Sequence, residues 1–392
     1  MNVKIFNGAG QSDYLYGLVS GLSSTPLTKI EVLDIDLSSH LFNEFEKVKF
    51  KTVYRYQKKG TSYLKKGANI LRFYFLQSKN ILLSKKGIVH FQWLDRYYIT
   101  DRILLPFLSR LRGHKTVFTV HNVNAGKRDK KDSYYNRLTL RIVYSLCNRL
   151  IVHTPVSKQE LISEFKVNPD KISVIKHGMN NKVLTRGITQ LEARRDLNIQ
   201  LNQKVLLFFG NIDYYKGLDI LIESLNHLPS KLSKDIVLLI AGNYKSVEYI
   251  NHINQLIESS KFKSSIIAYI KYIPDEQIEK FFMASDCIVL PYRNIYQSGV
   301  LFMAYNFGLP AISTKIGNFE NDIINGKTGI LAESIDTVSI AQAIQKYFCS
   351  TIYQNLAQTR QNIRDWAYRV YSWEAIGRDT YNLYKQMTNG AK

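Results

Sequence analysis

The chain is short of cysteine, short of acidic residues relative to basic ones, and has no long apolar run; each shortage excludes a class. Three cysteines, Cys147, Cys287 and Cys349, in 392 residues show no metal-ligand spacing and cannot build a disulfide framework. A reducing compartment is the expected setting. No stretch approaches the roughly 18 to 20 uninterrupted apolar residues of a membrane-spanning helix. The first residues, Met1-Asn2-Val3-Lys4-Ile5-Phe6, enter a strand pattern at once and lack the apolar core of a secretory leader. Cytoplasmic placement, peripheral on the inner face of the membrane, is therefore expected. Internal repeats and low-complexity segments are also missing, which argues against a solenoid or a disordered scaffold.

What is present suffices for two cores. At 392 residues, 45% of them apolar, the chain exceeds what one core usually organises. The expected fold class is α/β: an N-terminal domain over residues 1–180, a C-terminal domain over 204–365, and a helical region over 366–392. The polar segment 180–203 has no clear apolar run and reads as the linker. Within 366–392 the residues Trp366, Val370, Trp373, Ile376, Leu383, Tyr384 and Met387 recur at helical spacing, with Thr380 interrupting the apolar face.

Charge is unevenly placed. Lys and Arg number 53 against 32 Asp and Glu, a net +21. Residues 51–149 alone hold 22 basic and 4 acidic side chains, a balance of 22 − 4 = +18. So basic a region expects an anionic partner. Aromatic and apolar residues interleave with the charge in Tyr54-Arg55-Tyr56, Tyr63-Leu64-Lys65-Lys66 and Leu71-Arg72-Phe73-Tyr74-Phe75-Leu76. That mixture suits an anionic membrane surface, with Lys and Arg reaching outward, better than a nucleic acid, and no nucleic-acid partner is expected.

Two segments carry the chemistry. Residues 205–209 are a short β-rich apolar run, Gly210-Asn211 turns the chain, and Lys216-Gly217 precedes apolar residues at helical spacing. A strand joined to a helix through a glycine turn, with a lysine at its far side, is the wiring of an anion site. The helix that begins near Gly217 would offer free N–H groups, and Lys216 a compact charge. In the second segment, strand 287–290 stops at Pro291, and a polar loop ends in Gln297-Ser298-Gly299 before a helix over about 300–307. Ser298 suits an N-cap, Gly299 lets a ligand approach the backbone, and a second helix end could meet phosphate.

These residues resemble the retaining glycosyltransferases of family 4. The likeness runs through Gly-x-x-x-x-x-Lys-Gly at 210–217, Tyr272-Ile273-Pro274-Asp275, Ser285-Asp286 before Val289-Leu290-Pro291-Tyr292, Gln297-Ser298-Gly299-Val300-Leu301, Gly308-Leu309-Pro310 and the late Tyr371-Ser372-Trp373-Glu374. In the first half, His90-Phe91-Gln92-Trp93, Thr119-Val120-His121-Asn122 and His177-Gly178-Met179 look like the family's strand ends. Two departures stand out. Where many members carry two glutamates eight positions apart, this chain has Ile295 and Met303, and Asn211 replaces the usual arginine or serine. The Gln-Ser-Gly-Val form of the loop resembles a branch that often lacks the first glutamate.

The resemblance implies a GT-B fold, in which two Rossmann-like domains face a central cleft and a C-terminal helix crosses back to the first. It also implies a nucleoside-diphosphate-sugar donor as co-substrate, no cofactor and no metal. Lys216 would stabilise the diphosphate as the sugar leaves, with amides of Ser298, Gly299, Val300 and Leu301 sharing that charge. Gly10, Gly210, Asn211, Gln297, Arg293 and Glu320 would complete the donor site, and the main chain of Tyr272 and Ile273 would take the base. His121 would sit beside the transferred sugar. Asp95, Arg96 and Asn122 would touch a glycan or lipid-linked acceptor. The one Asp-x-Asp pair, Asp34-Ile35-Asp36, lies in the first half, away from the donor residues. Alternatives of other kinds are a nucleotide-sugar epimerase of the same fold and a non-catalytic binder of anionic surfaces.

Overall fold

The structure, a computed structural model, describes residues 1–7, 12–27, 29–35, 42–54, 62–94, 97–124, 132–179, 185–295 and 297–389. The chain divides into two compact units, one of Met1–Gly178 with Tyr371–Lys392 and one of Met179–Val370.

In the first unit the strands β1 (Asn2–Phe6), β2 (Lys29–Ile35), β3 (Val48–Tyr54), β4 (Ile88–Phe91), β5 (Lys115–Thr119), β6 (Arg149–Val152) and β7 (Ile172–Val174) form one sheet in the order β3-β2-β1-β4-β5-β6-β7. Every pairing is parallel. All carboxyl ends therefore lie at one edge, where ligands of such sheets bind. Alternation assigns the two faces. Val3 and Ile5 of β1 turn to a core shared with helix α1 (Ser12–Ser23) and with Trp373, Ile376 and Tyr384 of the last helix, Trp373–Asn389. Phe6 belongs to the opposite core with Phe73 and Tyr74 of helix α2 (Tyr63–Leu82) and Leu105 of helix α3 (Leu105–Leu111).

The second unit repeats the plan with β8 (Lys204–Phe209), β9 (Ile236–Gly242), β10 (Ile266–Ile270), β11 (Cys287–Leu290), β12 (Ala311–Thr314) and β13 (Gly329–Ala332). Their order is β10-β9-β8-β11-β12-β13, again parallel throughout. The near-continuous apolar runs at 205–209 and 287–290 are buried along their length, as strands covered on both faces must be.

Three expectations need correction. Of the segment read as a linker, residues 180–184 lie outside the described part, and Gln190–Asp196 is a helix opened by a capping box between Thr189 and Glu192. Arg194 anchors it: buried, it reaches both carboxylate oxygens of Asp286 at 3.0 Å and the carbonyls of Ala284 and Leu201. A polar composition hid a helix whose inward group is a paired arginine. The division expected at 365/366 falls within the helix Leu356–Tyr371, because Trp366 packs edge-on against Tyr305, 5.5 Å between centroids. Thr380 does not interrupt the apolar face of the last helix; it is buried there, its hydroxyl donating to the Ile376 carbonyl at 2.8 Å.

Candidate functional site

In the second unit, four strand ends, those of β8, β10, β11 and β12, bring the expected donor residues to one sheet edge. After β8 the chain turns at Gly210, whose φ of +99° suits glycine, and runs through a 3-10 turn, Tyr214–Lys216. That turn points the Lys216 side chain back. Its Nζ lies 3.0 Å from where a Cβ on Gly210 would stand, and Val300, in the first turn of the helix Gly299–Asn306, lies 3.3 Å from the same point. The ammonium, the glycine turn and the second helix end thus converge. Lys216 is 6% exposed and forms no ion pair among the described residues. Burial pushes its pKa down to about 8, Asp213 opposing and Lys245 adding to the fall. A buried cation without a carboxylate is costly unless an anion arrives.

The helix Gly299–Asn306 is capped as expected, with the Ser298 hydroxyl accepting from the Leu301 amide at 3.4 Å. No atom lies within 4 Å of a Cβ placed on Gly299, so there is open room beside that backbone. Gln297 adds an amide whose buried Nε2 has no hydrogen-bond partner among the described residues. Tyr272 is exposed beyond β10 while Ile273 is buried, Asn211 is exposed beside Gly210, and Glu320 is exposed on a short helix, Phe319–Asp322, beyond β12.

One donor-site expectation changes. The helix after Lys216 starts at Leu218 behind the 3-10 turn, and its first turn holds Asp219. A Cβ on Gly217 (φ +68°) would lie 2.1 Å from the Pro291 carbonyl, so that end is wedged against the end of β11 rather than offered to a ligand. Arg293 has protein partners already. It grips both oxygens of Asp219, at 2.9 and 2.6 Å, donates to the Tyr214 carbonyl at 2.7 Å and lies over the Tyr214 ring. These contacts tie the loop after β11 to the turn that carries Lys216. Sequence reasoning missed Lys245, three residues beyond β9 and next to Tyr244, which bridges Ile212 of the turn after β8; Gly242 at the end of an apolar strand was the available signal.

The first unit gathers imidazoles at its own carboxyl edge. His90 is the last residue but one of β4, His121 and His153 follow β5 and β6, and His177 follows β7. His153 Nδ1 lies 3.0 Å from the Ile175 carbonyl and its Nε2 3.1 Å from His121 Nδ1. Burial holds all four rings neutral. His90 and His153 are pushed down to about 3, and His121, which also feels His153, His177 and His90, well below its ordinary value. Tautomers then follow in sequence: only a protonated His153 Nδ1 satisfies Ile175, so His153 Nε2 accepts from His121 Nδ1–H. His121 Nε2 is left as a buried lone pair without a partner among the described residues. Trp93 stacks on His121 at 3.9 Å and Tyr14 meets it edge-on at 4.6 Å, fixing the ring plane. His153, unremarked in the sequence, was signalled by the same apolar-strand-then-histidine pattern. Asn122 lies beside His121, half-buried; Gly10, Asp95 and Arg96 lie outside the described residues.

Residues 189–366 match the family model for glycosyl transferases group 1, and residues 46–182 that for glycosyltransferase family 4. The chain belongs to the GT-B glycosyltransferases, of the family 4 type. Among curated relatives of this family 4 type chain is a D-inositol 3-phosphate glycosyltransferase of Corynebacterium diphtheriae, 24% identical over 59% of this chain and 55% of that protein. The match thus spans little more than half of that relative's length. Among solved GT-B structures, sucrose-phosphate synthase of Thermosynechococcus elongatus aligns over 100% of both chains with a TM-score of 0.70 at 16% identity. Anabaena HepE in complex with UDP aligns over 98% of this chain and 100% of its own, with a TM-score of 0.72 at 14% identity, and is also solved with UDP-glucose. At such identity these likenesses concern the fold, which they establish as GT-B.

Proposed function

We propose that this chain is a retaining glycosyltransferase that moves a sugar, as a hexosyltransferase, from a nucleoside-diphosphate sugar to a membrane-associated, lipid-linked glycan acceptor in polysaccharide or glycoconjugate synthesis. The observation that carries the proposal is Lys216: a buried ammonium in no ion pair among the described residues, aimed at a glycine turn beside a capped helix end. Such a cation stabilises the charge that grows on a departing diphosphate, with the amides of residues 298–301 as partners. Fixed cations and amides make a divalent metal unnecessary to this scheme. The free lone pair of His121 Nε2 suits a hydrogen bond from a hydroxyl of the transferred sugar. UDP and UDP-glucose bind the Anabaena neighbour, which favours a uridine donor here.

The membrane reading rests on α2. Leu64, Leu71 and Phe75 are 88%, 75% and 67% exposed, and with Leu82 they fall within about 40° of one another on a helix of 3.6 residues per turn. Lys65, Arg72 and Lys79 lie on the same helix, which contains no acidic residue. That is an interfacial stripe for the cytoplasmic face of an anionic bilayer. Among the described residues no helix is long and apolar enough to cross a membrane. The proposal is tested by assaying sugar transfer from candidate nucleotide sugars to lipid-linked acceptors in vesicles; hydrolysis or epimerisation of the donor without transfer would reject it.

A further inference from the structure

A cavity of about 500 Å³ opens in the first unit, away from the histidine cluster. Asn2, Lys29 and Gly87 on its wall stand at the amino-terminal ends of β1, β2 and β4, whereas the histidines follow carboxyl ends of the same parallel sheet. It is thus separate from the histidines proposed to meet the transferred sugar.

Its floor is charged where a core is expected. β1 is an interior strand, and Lys4 shares its face with Phe6, which belongs to the core beneath α2. There Lys4 and Lys51 both hold Glu31, Lys51 at 2.6 Å, and Lys51 also donates to Asn80 of α2 at 3.0 Å. Burial opposes ionisation of Glu31, but the two lysines outweigh it and keep the carboxyl below its ordinary range. Apolar side chains of similar volume would serve folding at least as well, so a charged triad on this face calls for another reason.

The rest of the wall supplies that reason. Lys29, Lys79 and Lys85 also line the cavity and have no carboxylate partner among the described residues, so one glutamate faces five lysines. His114, 3% exposed, lines it too. Its Nε2 lies 3.0 Å from the Ile81 carbonyl and therefore carries the proton, while its buried Nδ1 accepts from no group among the described residues. Lysines ask for an anion and an orphan acceptor asks for a hydroxyl. Leu83, exposed at the end of α2, joins the rim to the apolar stripe of that helix.

We propose that this cavity binds a phosphate ester carrying free hydroxyls, the phosphate against Lys29, Lys79 and Lys85 and a hydroxyl on His114 Nδ1. That chemistry belongs both to a soluble polyol phosphate and to the headgroup of a phosphoglycerol lipid. The site does not depend on the donor reading, since none of its residues lies in the second unit.

Amine-labelling of the intact protein, read lysine by lysine by mass spectrometry, tests it with sn-glycerol 3-phosphate and with phosphatidylglycerol vesicles, phosphatidylcholine vesicles serving as control. At about ten times the Kd, glycerol 3-phosphate should slow labelling of Lys29, Lys79 and Lys85 about tenfold, with Lys231 and Lys234 of the second unit unchanged. Protection by the soluble ester supports a soluble ligand, and protection by phosphatidylglycerol alone supports a headgroup. The exposed substitutions Lys29→Gln and Lys85→Gln should leave the fold intact and weaken binding about tenfold each. Protection from neither ligand, equal slowing at all lysines, or unchanged affinity in the double variant would overturn the assignment.

Discussion

His153 Nε2 lies 3.1 Å from His121 Nδ1, and this contact decides which nitrogen of His121 keeps a lone pair. Replacing His153 by phenylalanine preserves bulk but removes the acceptor, so His121 loses its fixed tautomer. kcat should fall about a hundredfold, within the range a positioned proton-handling group contributes, with donor KM little changed. His153→Gln, whose amide can both donate to Ile175 and accept from His121, should recover most of the loss. Equal activity of the Phe and Gln variants would show that the histidine pair is only packing.

Trp373 closes the other face of the first sheet. It is 6% exposed, and Cβ atoms on Gly17 and Gly178 would stand 1.9 and 2.5 Å from its ring. Trp373→Ala should cost about 3–5 kcal/mol in the urea unfolding transition of that unit, and Gly17→Ala about 1–3 kcal/mol through overpacking.

If Lys216 holds the donor diphosphate as proposed, donor binding should depend on pH with a definite sign. Its pKa is depressed to about 8, so the free protein holds the cation below that value and loses it above. Diphosphate affinity, measured by calorimetry, should be full below pH 8 and weaken by up to about tenfold per unit from pH 8 towards the ordinary lysine value. Lys216→Arg, charged throughout, should flatten the profile. Folding follows the opposite sense: the unfolded chain binds more protons across this window, so the penalty of burying the cation is present below pH 8 and relieved as pH rises.

The stripe on α2 predicts membrane behaviour. Leu71→Glu with Phe75→Glu should abolish sedimentation with anionic vesicles while leaving thermal unfolding unchanged, because both side chains are exposed. Unaltered vesicle binding would move the membrane contact elsewhere.

Much of this was legible in the chain. Apolar runs ending in glycine or proline located the strands at 205–209 and 287–290, and Lys216 and Ser298 followed from the turn chemistry beyond them. Partnerships were not legible. Arg293 finds Asp219 across 74 residues and Arg194 finds Asp286 across 92, and no local period signals either pair. The helix Gln190–Asp196 was lost because its buried group is a charged arginine, which a search for apolar periodicity scores as solvent-facing. His153 repeats a pattern already recognised at His121, but its meaning lies in a tautomer chain that only coordinates reveal.

The central claim is that Lys216 holds the diphosphate of the donor. Calorimetric titration of UDP and UDP-glucose into the wild type and Lys216→Ala, beside a transfer assay on the same preparations, tests it most directly. The account predicts measurable wild-type binding, a loss of about tenfold to a hundredfold in affinity on removing the cation, and a larger fall in transfer rate, since the charge grows as the sugar leaves. A folded Lys216→Ala protein that binds and transfers like the wild type would contradict it.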